Sequence, residues 1–238
     1  MRFNRRLRTF RAISFDLDDT LYSNRPVMEA TESAMRAYFA EQLGKKLCSF
    51  SGVDYSYWFE HRARILQKRP FLKHDVGELR QAAYFSGLVE LGLSKSDALQ
   101  LAEKAYQHFM LHRCNFVVPE NIHSLLSKLS EKWPLVAISN GNVDTRKIGI
   151  SQYFSYTYHA NLVQAQKPEP DMFKNASQAL QLPTDQILHI GDCGTSDIYG
   201  AIAAGCQSAW VAAYDVGKPI SILPDIELNE VTELAVFV

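Results

Sequence analysis

The sequence predicts an α/β protein: a doubly wound parallel sheet, interrupted after its first strand by an all-helical insert. Three observations lead there. Four short apolar runs, AISFDL (12–17), PLVAISN (134–140), QILHIGD (186–192) and SAWVAA (208–213), read as buried strands. Between the later runs, apolar residues recur at helical spacing. From residue 24 to residue 113, strand-like alternation gives way to long helical patterns. The expected organisation is a core of residues 1–23 and 114–238 with a helical cap domain at 24–113.

The first strand runs straight into FDLDDTLYSN, which puts Asp16, Asp18 and Asp19 within four positions. Like charges at that spacing repel by about 4 kcal/mol per pair at an effective dielectric near 20, so the cluster calls for a cation or a reaction to compensate it. Within the insert, Ser94 is a natural N-cap with Asp97 at the reciprocal position. Ala98, Leu101, Ala102, Ala105 and Phe109 fall on one face of the helix that follows. Gly87, Gly92 and Pro70 punctuate the insert.

Beyond it, the second strand ends in Ser139 and Asn140. Lys167 opens QKPEPDMF, where Pro168 and Pro170 signal a helix with Phe173, Ala176, Ser177 and Leu180 on one face. The third strand ends in Asp192, and Asp197 follows after CGTS. In open α/β sheets the ligand crevice lies beyond the carboxyl ends of the strands, so these polar groups are expected to converge there.

Composition sets the outer limits. The 238 residues are 47% hydrophobic and 21% charged, with 25 Lys plus Arg against 26 Asp plus Glu. This balance gives no reason to expect nucleic acid or an anionic membrane as a partner. The first eleven residues carry five Arg and no acid, which reads as a solvated edge ahead of a first strand at Ala12. Cys48, Cys114, Cys193 and Cys206 form no CxxC pair and have no zinc-spaced histidines, which fits a reducing, cytoplasmic setting. No apolar run reaches the ~18 residues that a membrane helix needs. The expected species is a monomer or homodimer.

An apolar strand then D-x-D-x-T, an apolar strand then Ser, Lys-Pro before a helix, and an apolar strand then G-D-x4-D: this ordered series resembles the haloacid dehalogenase superfamily over nearly the whole chain. The resemblance implies a Rossmann-like core and is closest to phosphatases with a helical cap after the first motif. FDLDDTLY, SNGN (139–142) and ILHIGD are similar to a bacterial flavin-pathway group acting on flavin mononucleotide or a ribityl-aminopyrimidine phosphate. A small phosphorylated metabolite, sugar phosphates included, is the implied substrate.

Carried over by motif, Asp16 is the expected nucleophile, forming an aspartyl-phosphate, and Asp18 the acid and base. Thr20 is expected to order the loop, while Ser139, Asn140 and Lys167 bind the phosphoryl group. Mg2+ is the implied cofactor, held by Asp16, the Asp18 backbone carbonyl and Asp192, with Asp197 as ligand or outer contact. Asp19 reads as a capping residue. Cys193 stands where relatives often carry Asp or Ser, so weaker magnesium binding is expected there.

In the insert, His74, Asp75 and Arg80 are candidate substrate contacts, set against a capping Asp with solvent-facing neighbours. Tyr55, Tyr57, Trp58 and Phe59 suit either a stacked ring or a helical core. The insert is expected to open and close about crossings near Tyr22 to Pro26 and Cys114 to Pro119. Two other readings stay in view. A haloacid dehalogenase expels a halide without proton or metal, which Asp18 and GDCGTSD argue against. A non-catalytic module of the same fold would have kept every polar group without turnover. Phosphoryl-storing relatives carry Thr at the position of Asp18.

Overall fold

A computed structural model of the chain describes residues 1–44, 53–214 and 221–238. The chain divides into two compact units, Met1–Asn24 with Val117–Val238, and Arg25–Phe116.

The first unit is built on a seven-stranded sheet. Its strands are β1 (Arg2–Phe3), β2 (Ala12–Phe15), β3 (Leu135–Ser139), β4 (Tyr156–His159), β5 (Ile187–Gly191), β6 (Gln207–Val211) and β7 (Ile226–Leu228). They lie in the order β1-β7-β6-β5-β2-β3-β4. Every pairing is parallel except β1 with β7. Every residue of β2, β3 and β5 is buried, as expected of central parallel strands covered on both faces.

One face is sealed by Met172, Phe173 and Ala176 of α6 (Asp171–Leu180), packed with Ala12, Val136, Ile138 and Ile187. Ser177 and Leu180, expected on the same stripe, are only half-buried, and Met172 takes the deeper place. The other helices of this unit are α5 (Glu120–Ser130) and α7 (Gly200–Ala203), the latter preceded by a π-helical turn at Gly194–Tyr199.

One sequence expectation is corrected at the amino-terminal edge. The first strand is β1, ahead of Ala12, and two residues are too few to show any periodicity. It is held by chemistry specific to that edge: Arg2 meets Glu227 at 3.0 Å, and the Asn4 N–H donates to the Asp225 carbonyl at 2.9 Å. The basic stretch thus lies along the acids near β7, with Arg5 4.0 Å from Asp225.

The second unit holds α1 (Asn24–Gly44), α2 (Tyr55–Lys68), α3 (Val76–Glu90) and α4 (Lys95–Arg113). Their apolar faces meet around Met35, Phe39, Trp58, Tyr84, Leu88 and Phe109. Ser94 caps α4 as expected, accepting from the Asp97 N–H at 3.1 Å, and Ala98, Leu101, Ala102, Ala105 and Phe109 are its buried stripe. Trp58 lies 4.4 Å from Phe39 between ring centroids and edge-on to Tyr84, while Tyr57 donates to the Gly87 carbonyl at 2.7 Å. Gly87 is required there, because a Cβ would run into both the Trp58 and Tyr57 rings. Of the four aromatic residues at 55–59, Trp58 is therefore core and Tyr57 half-buried, and Tyr55 and Phe59 are exposed.

Among the described residues, no helix is long and apolar enough to cross a membrane. Cys193 and Cys206 are free thiols, Cys114 is buried, and Cys48 lies outside the described residues.

Candidate active site

β2 and β5 are paired in register, and the pairing continues one residue past β2, where the Asp16 N–H donates to the Ile190 carbonyl at 2.8 Å. That bond fixes Asp16 at the carboxyl end of the strand. β5 ends at Gly191 and hands over to Asp192, and β3 ends at Ser139. Gly191 has to lack a side chain, because a Cβ would overlap the Asp197 carboxylate that lies over it.

The ammonium of Lys167 sits at the centre, 1% exposed. Its Nζ donates to Asp16 Oδ1, Asp197 Oδ1 and the Ile138 carbonyl, each at 2.6 Å, which uses all three of its protons. Asn140 holds the Lys167 backbone from both sides: its Nδ2 donates to the Lys167 carbonyl at 2.9 Å and its Oδ1 accepts from the Lys167 N–H at 2.8 Å. The side chain expected to bind phosphate is therefore committed to placing the lysine.

Asp197 is satisfied on both oxygens. Oδ1 also meets His189 Nε2 at 3.2 Å, and Oδ2 accepts from the Cys193 N–H at 2.9 Å. The Thr20 hydroxyl stands between Asp16 Oδ2 and Asp192 Oδ1, at 3.4 Å from each. Ser139 is buried, and its Oγ accepts from the Gly141 N–H at 3.0 Å. Trp210 on β6 donates to the Asp192 carbonyl at 2.7 Å and so steadies the turn after β5.

Carboxylate oxygens from Asp16, Asp192 and Asp197 lie within 4.8 Å of one another. Three acids against one ammonium leave an excess of negative charge, and the titration of each group reflects it. Burial works to raise Asp197, yet Lys167 and His189 hold it well below the usual carboxylate range. Burial works to discharge Lys167, but Asp16 and Asp197 hold its proton above the ordinary lysine value. Asp16 is raised, first by burial and then by Asp197 and Asp192, against the pull of Lys167. Asp192 is pushed up to about 7, chiefly by burial and then by the Asp197 charge.

Asp16 and Asp192 are thus short of positive charge, and their facing oxygens make only long bonds to Thr20. A hard-oxygen donor set of this kind fits a magnesium ion. Asp197 Oδ1 is already taken up by Lys167 and His189, which leaves it better placed as an outer contact than as a direct ligand.

The remaining expected residues lie as follows. Asp18 is half-buried and bridges to Tyr22. Asp19 has a left-handed backbone, φ 58°, tolerated by a short polar side chain, and its Oδ1 accepts from the Asn24 N–H at 2.8 Å, the first amide of α1. Cys193 caps the π-helical turn through its sulfur, 3.5 Å from the Ser196 N–H.

In the helical unit, Asp75 is the N-cap of α3, accepting from the Glu78 N–H at 2.9 Å, so its carboxylate serves the helix. Arg80 is buried, 3.6 Å from the Phe109 ring centroid and 3.5 Å from Glu32. It belongs to the packing of that unit. His74 is half-buried at the end of the 3-10 turn Pro70–His74.

Three residues of the centre were not singled out by the motifs: Ser14, His189 and Trp210. The signal was present for two of them. Each is a lone polar residue in an otherwise apolar strand, and such a residue needs a buried partner.

Residues 10–205 match the family model of haloacid dehalogenase-like hydrolases. The chain is 37% identical over 211 residues to 5-amino-6-(5-phospho-D-ribitylamino)uracil phosphatase YigB of Escherichia coli K12, covering 89% of this chain and 87% of that one. Among solved structures, a 2-haloacid dehalogenase from Pseudomonas syringae pv. tomato superposes with TM-score 0.87 at 30% identity, covering 95% and 97% of the two chains. The HAD-hydrolase YfnB of Bacillus subtilis, solved bound to magnesium, shares the fold with TM-score 0.66 at 20% identity, covering 97% and 99%.

Proposed function

The chain belongs to the haloacid dehalogenase-like hydrolases, and from that membership we propose that it is a magnesium-dependent phosphatase of a small phosphate monoester, with 5-amino-6-(5-phospho-D-ribitylamino)uracil the first substrate to test and flavin mononucleotide and sugar phosphates next. The observation that carries the reading is the buried excess of carboxylate around Lys167, a site short of a cation. The identity shared with the Escherichia coli phosphatase supports the choice of substrate.

Asp16 attacks phosphorus: an oxygen of its carboxylate forms the new P–O bond as the bond to the substrate alkoxide breaks. Asp18 gives its proton to that alkoxide, which leaves as the alcohol. A water then attacks the phosphorus of the aspartyl-phosphate, giving a proton to Asp18, and phosphate departs with the Asp16 carboxylate restored. Ser139 donates to the phosphoryl oxygens, and Lys167 offsets charge on them and keeps Asp16 in its attacking position. Asn140 serves this chemistry by fixing Lys167. Asp16, the Asp18 carbonyl and Asp192 would hold the magnesium ion, which supplies charge neutralisation to the phosphoryl group.

The dehalogenase structure at 30% identity favours a second reading, halide displacement by Asp16. Asp18 and Asp192 weigh against it, because a halide leaves without a proton and without a metal. A panel of phosphate monoesters and 2-haloacids, assayed with magnesium and with EDTA, separates the two. Phosphate release that EDTA abolishes is expected. Halide release with no phosphate release from any monoester would overturn the reading.

A further inference from the structure

β2 and β5 are apolar except for one interior residue each, Ser14 and His189, and the register sets these two directly opposite. Both are fully buried. Ser14 Oγ lies 2.9 Å from His189 Nδ1, and His189 Nε2 lies 3.2 Å from Asp197 Oδ1. From there the chain of contacts continues through Lys167 to Asp16. The Phe173 ring packs edge-on against the imidazole, 4.9 Å between centroids and perpendicular. An aliphatic residue would fill the same space without the cost of desolvating an imidazole.

We infer that His189, oriented by Ser14, is a positioning residue that fixes the Asp197 carboxylate and through it places Lys167 against Asp16. The geometry selects one tautomer. A lone pair on Nε2 facing the Asp197 carboxylate would be repelled, so the proton sits on Nε2 and Nδ1 accepts from the Ser14 hydroxyl. Asp197 is then held at three points, by Lys167 and His189 on Oδ1 and by the Cys193 N–H on Oδ2. Three points fix the plane of a carboxylate, and Lys167 inherits that plane. Without His189, the carboxylate can turn about its Cβ–Cγ bond and take the ammonium with it. Neither Ser14 nor His189 touches the reacting atoms.

The inference rests on the assignment of Asp16 as phosphatase nucleophile, and the experiment keeps the two apart. Purified wild type, His189→Gln, His189→Asn, Ser14→Ala and the Ser14→Ala, His189→Gln pair are assayed for kcat, KM and Tm on one monoester with magnesium. A glutamine amide reaches the Nε2 position, whereas an asparagine amide reaches only the Nδ1 position. His189→Asn is expected to lose about 10-fold to 100-fold in kcat with KM unchanged, the usual range for a group that orients a site ligand. His189→Gln is expected to recover most of that loss. Ser14→Ala is expected to lower kcat in the wild-type background and to have no effect when glutamine occupies 189.

Wild-type kcat in His189→Asn, or equal losses for Asn and Gln that follow Tm, would overturn the inference while leaving the phosphatase reading standing. If His189→Asn fails to fold, Ser14→Ala, which deletes one oxygen, carries the test: an equal effect in both backgrounds overturns the inference. No turnover by the wild type on any monoester overturns the phosphatase reading and this inference with it.

Discussion

Lys167 in the α/β unit and Arg80 in the helical unit are both buried cations, at 1% and 8% exposure. Lys167 touches two carboxylates and a carbonyl, with a third carboxylate within reach of the first two. Arg80 has Glu32, which it shares with Arg62, the Tyr84 hydroxyl and the face of the Phe109 ring. The second carries the opposite surplus: Glu32 faces Arg80 together with Arg62 and Arg36, while the Phe109 ring and the Tyr84 hydroxyl take up the rest of the Arg80 guanidinium. The first is open, with more negative charge than its own cation can offset. What differs between the two is the sign of the surplus charge, carboxylate around Lys167 and guanidinium around Glu32. Burial alone is common to both.

The largest test of this contrast removes the carboxylate proposed to attack phosphorus. Asp16→Asn should cut phosphate release by roughly ten-thousandfold or more, as loss of a catalytic nucleophile does elsewhere. The metal-free protein should melt no earlier than wild type, since a repelled carboxylate has gone. Turnover within tenfold of wild type would refute the assigned nucleophile.

Arg80→Met tests the other side. It removes the arginine bonded to Glu32, leaving Arg62 and Arg36 to face that acid, and empties the Phe109 face, so a loss of about 2 kcal/mol in unfolding free energy is expected, with kcat and KM unchanged. A raised KM at unaltered stability would return Arg80 to the substrate contacts that the sequence suggested.

The third test uses pH. Asp192 is pushed up to about 7 when no metal is bound, so below that pH a proton must leave before magnesium can bind. Magnesium affinity, followed by titration calorimetry, should weaken by at least about tenfold per unit as pH falls below about 7. A flat profile from pH 5 to 8 would mean that Asp192 is not a ligand. The smallest effect belongs to Asp75→Ala, which removes the cap of α3 at a cost of about 1 kcal/mol with KM unchanged. A change in KM would show that the carboxylate does more than cap.

Most of the α/β site was legible because its residues stand at strand ends, where an apolar run stops abruptly at a polar group. Asp16, Ser139 and Asp192 announce themselves that way, and their convergence follows from parallel pairing. Asn140 was read as a phosphate contact because its motif position says nothing about which way the amide turns, and that depends on Lys167, 27 residues on. Ser14 and His189 were visible as oddities in the sequence. Their partnership needed the register of β2 against β5, which no local pattern encodes. The edge strands β1 and β4 and the neighbouring β7 were missed because runs of two to four residues are too short for an alternation to stand out. Arg80 and Asp75 looked chemical because polar clusters at a helix start resemble a site when the packing beneath them is unseen.

The insertion of α1 to α4 between β2 and β3 has a consequence for the order in which the protein can be assembled during synthesis. β2 pairs only with β3 and β5, both made after the helical unit. As the chain leaves the ribosome, the helical unit, with its own apolar centre, can close while AISF and its carboxylates wait without neighbours. Asp16 meets its lysine only after 151 further residues have been made. Chains stalled shortly before β3 should therefore resist protease within the helices α1, α2, α3 and α4 themselves and be cut readily in the first twenty or so residues. The strand that leads into Asp16 would be among the first made and the last to be secured.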